Sequence, residues 1–551
     1  MASSTAIPTF SHTPIEAIPG IAVQARSTFR SQKTKPLEYR LTQLRKLWWG
    51  LKDNEAAIIE ACRLDLGKPS YEAITGEVGW CLNDIIFVCN NLKKWMADEK
   101  APDIDLKNSV VNPKIRKEPL GAVLVIGAFN YPFQLSLGPF IGAIAAGNTA
   151  VLKPSELSPN TAAVMQRIIQ ECLDSSAYFC IQGAVPETTE LLSQKWDKIF
   201  YTGSSEVGIL VAKKAAETLT PVTLELGGKN PAIISRFADT RLAARRLIWG
   251  KTLNAGQVCL SQNYILIDKE VLPSFVDELG IAFKEFYPNG AKASPDFARI
   301  VNERHFHRIK KMLDETHGKI LIGGAMDEKE KFIEPTVVQV DSLEDSLIKE
   351  ESFGPLFPLL PVDGLDEAIR IANEVDSTPL AMYPFSKKSE EIDRRMQPPS
   401  PCARLITLPS ADAQRIVLNE ITSGGASIND SFFHGSIPTL AFGGVGSSGQ
   451  GSYRGKASFD AFTHRRSVTH TPSWLEKLIS IRYPPYAGKI SRYKRMVATQ
   501  PDFDREGKVK GDMLAWVLTL GGGRVVAVRW LAVLLAAIGI KKVLESRTSK
   551  L

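Results

Sequence analysis

Gly250-Lys251-Thr252-Leu253-Asn254-Ala255-Gly256-Gln257-Val258-Cys259 is the stretch on which the rest of the chain depends. Small residues make a flexible turn ahead of a cysteine, and the apolar run Tyr264-Ile265-Leu266-Ile267 behind it predicts a strand. A cysteine taken at random would be a small core hydrophobe. The flanking pattern Asn254-x-Gly256-Gln257-x-Cys259 sets this one apart. Thirty-four residues upstream stands Leu224-Glu225-Leu226-Gly227-Gly228-Lys229, a carboxylate followed by a glycine pair.

Moving outward, Ala122-Val123-Leu124-Val125-Ile126 is the continuous apolar run expected of a buried parallel strand. It ends in Gly127-Ala128-Phe129-Asn130-Tyr131-Pro132, and functional groups of open α/β sheets gather at such strand ends. An asparagine in a turn ordinarily caps the backbone. Thr149–Lys153 followed by Pro154-Ser155-Glu156 reads as another strand and turn. Ile199-Phe200-Tyr201-Thr202-Gly203-Ser204-Ser205-Glu206-Val207-Gly208 leads into a helix-forming run through Ala216. Its glycine and serine leave backbone N–H groups and a helix N-terminus where a diphosphate could sit. Alone, Gly-x-x-x-x-Gly marks an ordinary turn, and it is not the Gly-x-Gly-x-x-Gly fingerprint. Glu350-Glu351-Ser352-Phe353-Gly354-Pro355, by its residues, is a helix end stopped by Gly-Pro.

Taken together, these motifs resemble the aldehyde dehydrogenase superfamily. The Cys259 motif resembles its nucleophile motif, and Leu224–Lys229 its general-base motif at the usual distance. Ser423–Asp430, Phe442–Gly449 and Tyr453–Arg466 are similar to class 3 and fatty aldehyde dehydrogenases, and the resemblance runs from about Pro14 to Pro485. It implies an α/β, aldehyde dehydrogenase-like fold: a three-layer Rossmann-type cofactor domain, an α/β catalytic domain and a small bridging segment for pairing as a dimer. The expected divisions are 1–225 (bridging hairpin 101–118), 226–425, a return segment 426–472 and a tail 473–551.

The resemblance also implies roles. Cys259 is the nucleophile, Glu225 the base (Glu351 being the other candidate in class 3 members) and Asn130 the amide donor to the substrate oxygen. Lys153 and Glu156 match positions that hold the adenosine ribose, and Gly203, Ser204 and Gly208 stand where the diphosphate is expected. Glu351 matches the nicotinamide-ribose glutamate and Phe353 the phenylalanine beside the nicotinamide. Relatives carry Trp before the asparagine; here Phe129 keeps the aromatic and drops the indole donor. A carboxylate at 156 accepts from a ribose 2′-hydroxyl and repels a 2′-phosphate, whereas Lys153 attracts one. NAD is therefore the expected cofactor, with NADP open. The reaction implied is oxidation of a long-chain aliphatic aldehyde through a cysteine thiohemiacetal and thioester, and a water-activating Glu225 favours the free acid as product. Polyene or apocarotenoid aldehydes stand second as substrates. A different class of reading is an inactive, membrane-associated scaffold with the same fold.

Composition bounds these readings. A chain of 551 residues, 44% hydrophobic and 23% charged, is globular and long enough for two or more domains. Its seven cysteines form neither a disulfide framework nor Cys-x-x-Cys zinc spacing, so a reducing compartment is expected. His305 and His307 lie two apart in an apparent helix and face different ways, so no metal site is expected. The segment 476–551 carries 15 Lys and Arg against 6 Asp and Glu, leaving 52 against 54 for everything before it. A near-neutral body argues against nucleic acid, and a basic tail suits an anionic surface.

Two segments depart from the pattern. Gln397–Gln414 contains four prolines and reads as a surface loop insertion or a translated intron. Met513–Ile540 is 28 mostly apolar residues broken by Arg524 and Arg529 into two 11-residue stretches with a short one between, whereas a clean span needs about 20. Membrane association through 513–545 is expected, the alternative being a soluble helix packed at the enzyme's own entrance. Ser549-Lys550-Leu551 matches a peroxisomal address, so the expected location is the peroxisome, with the endoplasmic reticulum membrane as the alternative.

Overall fold

The computed structural model describes residues 6–388, 391, 417–497, 501 and 503–507. The insertion 397–414, the apolar stretch 513–540 and the terminal tripeptide 549–551 lie outside the described residues. Two units form: one runs to Asp105 and resumes over Pro113–Thr469, and the other joins Leu106–Asn112 to the described residues from His470 onward. The second is built of short helical turns and the helix Ile490–Val497.

The first unit is organised by two mainly parallel sheets. The six strands of one lie in the order Gly449–Gln450, Val222–Leu226, Lys198–Gly203, Ala122–Ile126, Thr149–Lys153, Tyr178–Cys180. Only the short return strand Gly449–Gln450 is antiparallel, pairing with Leu224 and Glu225. The first of these strands in the chain, Ala122–Ile126, lies inside the sheet. Successive strands are laid on one side of it and then on the other, which opens a crevice at its carboxyl end.

The wholly apolar run is explained by strand alternation. Val123 and Val125 join a core with the helices Leu37–Asp53, Pro132–Ala146 and Pro159–Cys172, while Ala122, Leu124 and Ile126 face the helices Ile18–Arg30 and Ser205–Ala216. A strand covered on both faces has no place for polar residues. This is the three-layer arrangement expected from the sequence.

The second sheet has seven strands in the order Lys319–Ile322, Thr336–Gln339, Leu356–Val362, Tyr264–Asp268, Pro231–Ile234, Ala381–Phe385, Gly425–Ala426. It too is packed on both faces: Ile265 and Ile267 on one, Tyr264 and Leu266 on the other. A small antiparallel sheet joins Glu99–Lys100, Lys114–Pro119 and Thr463–Val468.

Candidate active site

The two sheets meet the site from opposite ends. The first sheet contributes the carboxyl ends of its strands: Asn130 follows Ala122–Ile126, Glu156 follows Thr149–Lys153, Ser204 follows Lys198–Gly203, and Glu225 lies within Val222–Leu226. The second contributes loops that precede strands: Cys259 before Tyr264–Asp268, and Glu351 and Phe353 before Leu356–Val362.

One cavity of about 750 Å³ collects them. Asn130, Lys153, Glu156, Gly203, Ser204, Glu225, Cys259, Glu351 and Phe353 all line it. Gly208 does not. It is buried in the helix Ser205–Ala216, where an added Cβ would come within 2.7 Å of Leu226. Its missing side chain lets helix and strand approach each other.

The turn before Cys259 is small in its residues but not loose. Asn254, Ala255 and Gly256 all have positive φ (50°, 51° and 77°). At Gly256 a Cβ would strike the Gly354 carbonyl oxygen at 2.2 Å, so this turn requires glycine. Hydrogen bonds then pin the strained backbone. Asn254 Nδ2 donates to the Asn130 and Gln257 carbonyls, and Asn254 N to Glu72 Oε2, at 2.9, 3.1 and 2.9 Å. Gln257 donates to Asn254 O and Arg299 O, and accepts from Val301 N. Small residues suggested flexibility, but tertiary hydrogen bonds remove it. Asn230, one residue beyond the Leu224–Lys229 motif, donates to the Cys259 carbonyl at 2.7 Å and the Ser261 carbonyl at 3.0 Å.

Glu225 is 3% exposed, and neither of its carboxylate oxygens has a hydrogen-bond partner among the described residues. Leu224 and Leu226 join the core on one face of their strand, so strand alternation sends Glu225 to the other. Burial pushes its pKa well above the ordinary glutamate range. The Cys259 thiol is pushed up to about 12, by burial first and then by Glu351 and Glu225. Glu351 is raised by burial, with Lys251 and Arg308 opposing. The Gly227 position shows how tightly these groups sit, since a Cβ there would lie 2.2 Å from Glu351 Oε2.

Several residues at the site carry no local sequence signal. Arg308 donates to the Glu351 and Ser352 carbonyls at 3.0 and 2.6 Å, holding the loop that presents Glu351 and Phe353. His305 lines the cavity with its ring 5.2 Å from Phe129, which in turn lies 5.9 Å from Phe353. His307 instead pairs with Glu328 at 3.2 Å. His305 and Arg308 share a face at i,i+3, a spacing that could have linked them. The Gly354-Pro355 pair does not stop a helix; that helix already ends at Lys349.

The lining also fits a dinucleotide. Thr202 Oγ1 is buried without a partner among the described residues, and Ser204 caps the helix Ser205–Ala216 by accepting from Val207 N at 3.4 Å. Lys153 pairs with Glu156 at 2.9 Å, and Lys214 also lines the cavity. A helix start beside lysines suits phosphates, and the orphaned hydroxyl offers a further polar contact.

A thiol and a buried carboxylate without a partner among the described residues are brought to one cavity at the switch point of a doubly wound sheet, the place where α/β folds bind dinucleotides. Residues 2–397 match the aldehyde dehydrogenase family, and the chain belongs to that family. It is an NAD(P)-dependent aldehyde dehydrogenase. It is 51% identical to the beta-apo-4′-carotenal oxygenase of Neurospora crassa over 539 residues, covering 97% of each chain. It is 40% identical to the 4,4′-diaponeurosporen-aldehyde dehydrogenase of Staphylococcus aureus, covering 85% of this chain and 97% of that one. The substrate-bound structure of Staphylococcus aureus AldH superposes with a TM-score of 0.80 at 39% identity, over 87% of this chain and 99% of that one.

Proposed function

We propose that the enzyme oxidises a polyene, apocarotenoid-type aldehyde to its carboxylic acid. One observation carries this reading. The 51% identity to a relative named for an apocarotenal extends over 97% of both chains, and a second relative is named for another polyene aldehyde. From residues alone, long-chain aliphatic aldehydes came first and polyenes second; the relatives reverse that order. Fatty aldehydes remain the second reading, favoured by the likeness of 423–466 to fatty aldehyde enzymes.

In this mechanism the Cys259 thiol first releases its proton to solvent, and Sγ, as thiolate, then attacks the aldehyde carbon. Asn130 Nδ2 donates one N–H to the Gln257 carbonyl at 3.0 Å, and its second N–H serves the developing oxyanion. Bound NAD or NADP supplies the hydride acceptor that brings the captured aldehyde to the acyl level. On Cys259 that acyl group is a thioester, and Glu225 takes a proton from the water that hydrolyses it. A base raised by burial, with no hydrogen bond holding its charge, draws that proton more readily. Lys153 and Glu156 would hold the adenosine ribose, Gly203 and Ser204 the diphosphate, and Glu351 and Phe353 the nicotinamide end. Glu156 favours NAD.

The small antiparallel sheet, with Lys114–Pro119 at its centre and Thr463–Val468 at its edge, is proposed for pairing as a dimer. The basic tail is proposed for membrane association, and the terminal Ser-Lys-Leu for peroxisomal delivery. Among the described residues no helix is long and apolar enough to cross a membrane.

The test is kcat/KM over matched saturated and conjugated aldehydes with NAD and NADP. A conjugated aldehyde is expected to exceed its saturated counterpart by about tenfold or more, a difference of about 1.4 kcal/mol. Preference for saturated chains installs the fatty aldehyde reading. No reduced cofactor with any aldehyde would favour the scaffold.

A further inference from the structure

Behind the site lies a charged cluster with no part in the chemistry above. Lys68 follows the helix Glu55–Leu66, and Glu77 belongs to a π-helical turn, Ile74–Val78. Both side chains are 0% exposed, and they pair at 2.6 Å. Among the described residues the remaining side-chain hydrogen bonds of the pair are with one short segment. Lys68 Nζ donates to the Asn130 carbonyl at 2.9 Å and sits 3.9 Å from the centre of the Tyr131 ring. Glu77 Oε2 accepts from Phe133 N and Gln134 N, both at 3.0 Å, at the start of the helix Pro132–Ala146.

The segment Asn130–Gln134 is thus gripped at both ends by one ion pair. The Asn130 carbonyl also accepts from Asn254 Nδ2 at 2.9 Å, and Glu72, from the same stretch as Glu77, accepts from Asn254 N. Ten residues of the N-terminal helical region therefore hold both the turn that carries Asn130 and the turn that leads to Cys259.

Burying two charges costs several kcal/mol per ion before their attraction offsets it, so such a pair is a poor route to stability alone. Its hydrogen bonds to a carbonyl and two amides are charge-assisted, which suits the fixing of a position. We propose that the Lys68–Glu77 pair is a positioning device for the oxyanion site, fixing the Asn130 backbone so that its side-chain amide meets the substrate oxygen. This inference rests on the role proposed for Asn130.

The experiment uses the full chain and four variants: Lys68→Met/Glu77→Gln, Lys68→Arg, Asn130→Ala, and the triple variant. The double variant removes both charges of the pair together, so neither member is left as a lone ion, while Glu72 loses the nearby cation that favours its charged form. It is expected to lower kcat roughly 10- to 100-fold, the scale of a misplaced catalytic group, with KM for NAD unchanged. In the Asn130→Ala background the same pair of substitutions should add less than about threefold, because residues that act as a unit are non-additive. Lys68→Arg keeps the pair but displaces the donor; it should lose part of kcat, and it provides the comparison if the double variant does not fold. Losses that multiply with Asn130→Ala, or no loss at all, overturn the proposal. If Asn130→Ala itself retains kcat, the oxyanion role fails first and takes this inference with it.

Discussion

Glu77 and Glu225 are both buried, at 0% and 3% exposure, yet their surroundings differ completely. Glu77 has Lys68 on one oxygen and two backbone amides on the other. Glu225 has no partner on either oxygen among the described residues, and it lines the cavity with Cys259. A buried carboxylate without partners is unfavourable as an ion. Folding alone gives no reason to keep one there, whereas a reaction that needs a proton acceptor does. Burial by itself therefore does not separate the two carboxylates; the absence of a partner among the described residues does, and it suits the base role proposed for Glu225.

The sharpest break in that comparison comes at the nucleophile. Cys259→Ala is expected to abolish aldehyde oxidation, a loss on the order of 10⁴-fold or more, with no acyl adduct in the mass spectrum of the quenched enzyme. Residual turnover within tenfold of wild type would remove Cys259 from the mechanism.

Glu225→Gln comes next, with a steady-state loss of roughly 10²- to 10³-fold. The first turnover should survive as a burst of reduced cofactor, because the base is needed only for hydrolysis. If Glu351→Gln shows that pattern and Glu225→Gln does not, the base assignment passes to Glu351.

The same substitution tests stability. Glu225 has its folded pKa raised above the ordinary 4.5. Its contribution is therefore fully present below pH 4.5 and is lost as pH rises through the raised value. Replacing it with Gln should raise Tm at pH 8 more than at pH 5, while Glu77→Gln should lower Tm at pH 8 because it strands Lys68, even though burial raises the Glu77 carboxyl as well. Equal effects at the two positions would erase the distinction drawn here.

The smallest effect is expected at the cofactor end. Glu156→Ala frees Lys153 from its 2.9 Å pair and removes a carboxylate that repels a 2′-phosphate. The ratio of kcat/KM for NADP over NAD should rise about tenfold, or about 1.4 kcal/mol. An unchanged ratio would move coenzyme preference elsewhere, with Lys214 the next residue to vary.

The site was legible where its chemistry is written locally. Asn254-x-Gly256-Gln257-x-Cys259 marked the turn, and its glycine is explained by a positive φ and a backbone contact that only glycine permits, although distant residues hold the turn in place. Apolar runs such as Ala122–Ile126 marked strands because both faces of each sheet are covered. Arg308, His305 and Asn230 were missed for a common reason. Each acts on a loop distant in sequence, through a side chain that on its own helix or strand looks like any surface or turn residue. Gly208 shows the opposite limit, since a glycine inside a motif serves packing against Leu226 rather than the cavity wall.

What the sequence by itself determined is the choice of candidate reacting groups, the strands beside them and the concentration of basic charge after Glu476, because these depend on residue type and short spacing. Only the tertiary structure decided that Cys259, Glu225 and Asn130 share one cavity, that Glu225 is left without a partner, and that Lys68 and Glu77 grip the Asn130 turn. Those facts depend on desolvation and on contacts between segments from 56 to 127 residues apart, which no local pattern encodes.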